Sequence, residues 1–145
     1  MPVTRHSDPD AFLVAAAPMA ARGQASASFF TGWAHAMKQT PPAPGERIYL
    51  ATVRDGANYG VAIRRDDGPV IIGQSDAAAA TAFADDLAQD GPGLQGVVGA
   101  LPAAEAFAQQ WQELTGRPHR LRVRLRQHAL VAVNDVPVAP GAPRI

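Results

Sequence analysis

Hydrophobic positions along this chain change their period several times, and each change marks an element. Asp8-Pro9 offers a helix N-cap followed by a proline suited to the first helical turn. Phe12, Leu13, Ala16 and Ala17 then recur at helical spacing, and Pro18 is expected to end or kink that helix. A second helix is expected after Gly23, with Phe29, Phe30, Trp33 and Met37 on one side. It stops at Thr40-Pro41-Pro42-Ala43-Pro44-Gly45, which reads as a loop because too little chain precedes it for a separate domain.

The period then drops to two. Arg47 to Arg54, with Ile48, Leu50 and Val53, and Tyr59 to Arg65, with Val61 and Ile63, read as strands joined at Asp55-Gly56-Ala57-Asn58. Asp66-Asp67-Gly68 is a hairpin turn. Pro69 to Gly73 follows it, and its unbroken run Val70-Ile71-Ile72 predicts a central strand. Helical spacing returns from about Asp76 to Gln89, burying Phe83 and Leu87. A short strand, Gln95 to Gly99, precedes a helix opened by Pro102, carrying Phe107, Trp111 and Leu114, and closed by Gly116 and Pro118.

Residues Arg120-Leu121-Arg122-Val123-Arg124-Leu125-Arg126 alternate strictly, so they predict a strand with one aliphatic and one guanidinium face. That strand is expected to continue through His128 to Val133, and Val136 to Pro143 is linker-like. The expected order is α-α-β-β-β-α-β-α-β. It implies an α+β fold in three α/β/α layers, with a mixed, mostly antiparallel sheet and four helices. Residues 1–135 would form one domain and 136–145 a proline-rich linker or tail.

Composition narrows the function classes. With 13 basic and 13 acidic residues the formal net charge is +0, which argues against nucleic acid and anionic membrane as partners. The charges are nevertheless segregated, the arginine run lying far from the cluster Asp76, Asp85, Asp86 and Asp90. Lys38 is the sole lysine, and alanine, glycine and proline are abundant, a composition that resembles the coding bias of a GC-rich bacterial genome. There is no cysteine, so disulfides, thiol nucleophiles and thiolate metal sites are excluded. The start lacks the apolar core of a signal peptide, and the longest apolar stretch, Phe12 to Ala17, is too short to span a membrane. A soluble, cytoplasmic protein is expected.

Several strings resemble chemical motifs. Gly91-Pro92-Gly93-Leu94-Gln95-Gly96 matches G-x-G-x-x-G, but a dinucleotide site needs a strand before it and a helix after it, and here the order is reversed. Gly73-Gln74-Ser75-Asp76-Ala77 approaches a nucleophile elbow without its last glycine; helix capping by Ser75 or Asp76 is the plainer reading, and His119 or His128 lacks independent support as a triad partner. His6-Ser7-Asp8-Pro9-Asp10 contains metal-ligand types but reads as a helix start, so no metal site is expected. The face of Arg120, Arg122, Arg124 and Arg126 is either solvated or paired with the acidic helix, or it holds an anionic ligand or partner surface.

The element order and several strings resemble the GCN5-related N-acetyltransferases, the GNAT superfamily of acyl-CoA N-acyltransferases, minus their first strand. The likeness is nearest to bacterial members built as two such domains in tandem. It rests on Gln95-Gly96-Val97-Val98-Gly99, Ala104-Glu105-Ala106-Phe107 with Trp111, Thr115-Gly116-Arg117-Pro118, and the arginine run leading to a proline-rich linker. The resemblance spans about Asp8 to Arg144. It implies acetyl transfer from acetyl-CoA to an amine, with the cofactor held by a Q/R-x-x-G-x-G/A loop. The corresponding residues are Gln74-Ser75-Asp76-Ala77-Ala78-Ala79, where Gln74 and Ala79 fit, Ala77 replaces the glycine, and Asp76 puts a carboxylate where a pyrophosphate would sit. Gln74, Ser75, Ala77 and Ala79 are thus the remnant of a cofactor loop, and this chain is expected to bind no acetyl-CoA itself.

In the tandem subgroup the N-terminal half is a degenerate copy. The resemblance therefore implies a non-catalytic half that shapes the acceptor site, for a small-molecule or peptide amine, of a C-terminal catalytic domain; a homodimer is the other partner expected. A stand-alone binding or scaffold module using the arginine strand is the alternative. Catalytic residues are not assigned, since Tyr49 and Glu46 are only guesses at a general base.

Overall fold

The computed structural model describes residues 1–126 together with His128, Leu130 and Ala132. The remaining positions up to Val133 and the proline-rich segment 136–145 lie outside the described residues. The elements run β1 (Val3–Arg5), α1 (Pro9–Ala20), α2 (Gln24–Gln39), β2 (Ile48–Asp55), β3 (Asn58–Arg65), β4 (Val70–Ile72), α3 (Ala77–Ala88), β5 (Val97–Gly99) and α4 (Leu101–Thr115). The class is α+β: a mixed five-stranded sheet in the order β1-β2-β3-β4-β5, with helices on both faces. The pairs are antiparallel except β4 with β5, which is parallel because α3 carries the chain back between them.

Period-two alternation in the long hairpin divides the core. Tyr49, Ala51, Val53 and Ala62 face α3 and α4, meeting Phe83, Leu87, Phe107 and Trp111. Leu50, Val61 and Ile63 face α1 and α2, meeting Phe12, Met19, Phe30 and Met37. The turn between β2 and β3 is made by Gly56-Ala57, with Asp55 opposite Asn58 and Gly56 at φ 59°. Covered on both sides, β4 is buried at all three positions, as its apolar run predicts. In α4, Phe107 and Trp111 stack at 5.9 Å between ring centroids and pack on α3, and Gly116 closes the helix in the left-handed conformation.

Four expectations are corrected. The strand β1, too short to show a period, pairs Val3–Arg5 with Ala51–Val53 of β2 and supplies a first strand that the sequence reading lacked. Helix α1 does not end at Pro18 but runs on to Ala20; the carbonyl that loses its donor belongs to Val14, which is exposed and within reach of water. The buried face of α2 is Ala27, Phe30, Ala34 and Met37, whereas Phe29 and Trp33 are exposed, and so is Leu114 in α4. Residues 116–126 form neither helix nor strand, and Arg120, Arg122, Arg124 and Arg126 are exposed along with the aliphatic residues between them. The alternation supplies a strand pattern, but a strand needs a neighbour for its backbone groups, and no described strand pairs with this segment. Among the described residues, no helix is long and apolar enough to cross a membrane.

Candidate functional site

Three-residue β4 leaves part of its longer neighbour β3 without a strand partner, and the β4–α3 loop takes over that role. Gly73 N donates to Val61 O at 2.9 Å, continuing the ladder by one residue. Ser75 Oγ then accepts from Val61 N at 3.1 Å. One step further, Asp76 N donates to Tyr59 O at 3.1 Å, and Asp76 Oδ2 accepts from Tyr59 N at 2.9 Å. The loop lies so close to β3 that side chains are excluded at two places. A Cβ on Gly73 would stand 2.4 Å from both Phe30 Cδ1 and Val61 Cγ2, and one on Gly60 would stand 2.7 Å from Ala79 Cβ and 2.8 Å from Ser75 Oγ.

The second carboxylate oxygen of Asp76 caps α3. Asp76 Oδ1 accepts from Ala79 N at 2.7 Å while the residue itself stays in extended conformation, the geometry of an N-cap. One side chain therefore satisfies a sheet amide with one oxygen and a helix amide with the other. Ser75, which an elbow reading would make a nucleophile, is bonded through Oγ to the backbone of Val61 in β3. His119 lies in the exposed segment that follows α4.

These residues test acetyl-CoA directly. A pyrophosphate at a helix N-terminus needs unpaired amide donors and no competing anion. Here Asp76 places a carboxylate at the start of α3, uses the Ala79 amide, and is itself held by β3. Gln74, Ser75, Ala77 and Ala79 are brought together in the loop and first turn, as their spacing predicts, but around an internal anion. The site does not fit the pyrophosphate of acetyl-CoA.

Near the same junction, Arg22, from the α1–α2 loop, stands over the Tyr59 ring at 4.2 Å. Both guesses at a general base are engaged by neighbouring groups. Tyr49 is buried and donates its phenol proton to Asp86 Oδ2 at 2.8 Å; burial first, and the Asp86 charge second, raise its pKa above the ordinary tyrosine value. Glu46 is clamped by Arg65, with Oε2 3.1 Å from Nη2, and also accepts from Ala43 N at 2.8 Å. The Arg65 hydrogen bond, and then the Ala43 amide, hold its carboxyl below the usual range.

A second polar cluster joins the opposite edge of the sheet to α3. Arg5 Nε donates to Asp86 Oδ2 at 2.8 Å, Nη2 to Asp86 O at 2.9 Å, and Nη1 to Asp90 at 3.0 Å. The guanidinium also lies 5.0 Å from the Tyr49 ring centroid. Arg5 sits in β1, a strand the sequence did not disclose, so nothing could pair it with acids some eighty positions away. Beside this cluster an open groove of about 470 Å³ runs between β1 and α3. Its carboxylates are already engaged, Asp86 as above and Asp85 by Gln110 at 2.6 Å.

At the N-terminus, Asp8 caps α1 by accepting from Ala11 N at 2.8 Å, and Asp10 pairs with Lys38 at 2.6 Å. His6 shares a hydrogen bond with Thr52 Oγ1 at 2.9 Å, and desolvation lowers its pKa. Among the described residues no group of three potential ligands converges on a metal position. Compared with models of known protein families, with curated proteins and with solved structures, the chain matches none.

Proposed function

We propose that this chain is the non-catalytic N-terminal domain of a GNAT-type N-acetyltransferase. In this reading a C-terminal domain carries acetyl-CoA and transfers the acetyl group to a small-molecule or peptide amine, and this half shapes the acceptor site. The observation that carries it is the double use of Asp76, an acidic residue built into the cofactor-loop position and consumed by the fold itself. The element order supports the same reading: with β1 present, two helices, three antiparallel strands, a helix, a parallel strand and a helix follow in the sequence expected of that superfamily. Tyr49 and Glu46, each engaged elsewhere, support the absence of a working base in this half.

The test follows coenzyme A release with a thiol reagent, using the isolated chain, acetyl-CoA and a panel of amines. The chain contributes no thiol background, having no cysteine. Release at the uncatalysed rate is expected; turnover above it contradicts the proposal. Reading the gene beyond codon 145 tests the tandem form. A following domain with an intact Q/R-x-x-G-x-G/A loop is expected, and a stop directly after that codon contradicts it.

A further inference from the structure

Strand β5 ends the described sheet with one edge unpaired. Gly96 O accepts from Val70 N, so by the alternation of a parallel ladder Val97 and Gly99 turn their amides and carbonyls outward. The strand carries neither charge nor proline, two of the usual guards of an edge, and Val98 is 38% exposed. The apolar character continues on both sides. Leu101 lies exposed just after β5, and exposed Trp33 lines a small cavity with Ile71, the ladder partner of Val98.

Residues 120–126 have the complementary need. They alternate as a strand must, yet Leu121 and Val123 are each 61% exposed and Leu125 is 82% exposed. Among the described residues, none of Arg120, Arg122, Arg124 and Arg126 forms an ion pair, and neither does Glu105 or Glu113 of α4, the helix packed against β5. Arg117 Nη1 donates to Pro92 O at 2.9 Å, so the segment departs from the end of the molecule where the chain enters β5. The segment's own β5 edge is near its point of departure, and the segment does not occupy it.

We propose that residues 120–126 of one copy add as a strand to β5 of a second copy, reciprocally, closing a two-fold dimer. Each copy donates one strand and receives one, so the β5 edge of each copy is covered and the exchange closes on two copies. The aliphatic face gains the cover it lacks within one chain, and the guanidinium face comes alongside the free carboxylates of α4. This inference stands on strand geometry and holds whether or not the acetyltransferase reading does.

The cysteine-free chain makes the test direct. Val98→Cys and Val123→Cys are placed in separate chains, mixed, and treated with a short bismaleimide, with sedimentation equilibrium run on the unmodified protein. The expected result is a dimer in sedimentation and a cross-link between position 98 of one chain and position 123 of the other. The paired change Leu121→Asp with Leu125→Asp, at positions already in water, is expected to return the protein to monomer without changing its thermal unfolding when both proteins are compared as monomers at high dilution. A protein monomeric at every soluble concentration overturns the proposal. So does a dimer that survives the paired aspartates, or a cross-link that forms inside one doubly substituted monomer.

Discussion

Replacing Asp76 with alanine removes two acceptors at once. Oδ1 is lost from the Ala79 amide in the first turn of α3, and Oδ2 from the Tyr59 amide of β3. Loss of an N-cap costs about 0.5–2 kcal/mol. The Tyr59 amide is only half-buried, so water recovers part of its bond, and about 1 kcal/mol is the fitting share of an unsatisfied donor. The sum is about 1.5–3 kcal/mol, which in a chain of this size lowers Tm by about 5–10 °C. Asp76→Asn sharpens the argument. Asparagine caps a helix as well as aspartate does, but it offers one carbonyl oxygen where two amides need acceptors. Its cost should be about 1 kcal/mol, between alanine and the natural residue. Urea unfolding of the three proteins measures this as a shift of midpoint at constant m. An alanine cost below about 0.5 kcal/mol, or an asparagine protein as stable as the natural one, refutes the double-acceptor role.

Four further outcomes follow from the structure. Gly73→Ala pushes a methyl into Phe30 and Val61 and should cost about 1–3 kcal/mol in urea unfolding. Gly32→Ala, in the interior of α2 with nothing within 4 Å, should instead stabilise by about 0.5–1 kcal/mol. Tyr49→Phe leaves Asp86 with Arg5 but removes the phenol donor, and should cost about 1–2 kcal/mol at neutral pH. Because the folded-state pKa of Tyr49 is raised, its contribution is complete below the unfolded value near 10 and declines as pH rises above it, by about 1.4 kcal/mol per unit. The Phe variant should therefore lose less stability than the natural protein between neutral and strongly alkaline pH. His6 has the opposite shift: its neutral form is favoured in the fold, so stability should fall as pH drops below about 6.5, an effect that His6→Asn removes.

The readable parts of this fold were those with a strong local signal. Alternation in β2 and β3, the glycine turn at Gly56, the unbroken run of β4, and the caps of α1, α3 and α4 are all written in short windows. What escaped depended on distant partners. Three residues of β1 have no period, and only their register with Ala51–Val53 makes them a strand. The outward turn of Phe29 and Trp33 depends on which residues of α2 meet the sheet, and Ala27 and Ala34 at the close contact are weak hydrophobic markers. The arginine run shows the converse limit. Its alternation is as regular as any in the chain, but pairing is a property of two strands, and the described sheet offers it no partner. At the β4–α3 junction the sequence disclosed the carboxylate and its position in the loop. It could not disclose that the second oxygen reaches Tyr59, seventeen residues back in another element.

Isothermal titration of acetyl-CoA into the chain decides whether Asp76 stands where a pyrophosphate would. With the first turn of α3 capped from within and a carboxylate at its start, no saturable heat is expected at any soluble concentration of the ligand. Saturable binding in the micromolar range, lost on addition of competing pyrophosphate, would contradict it.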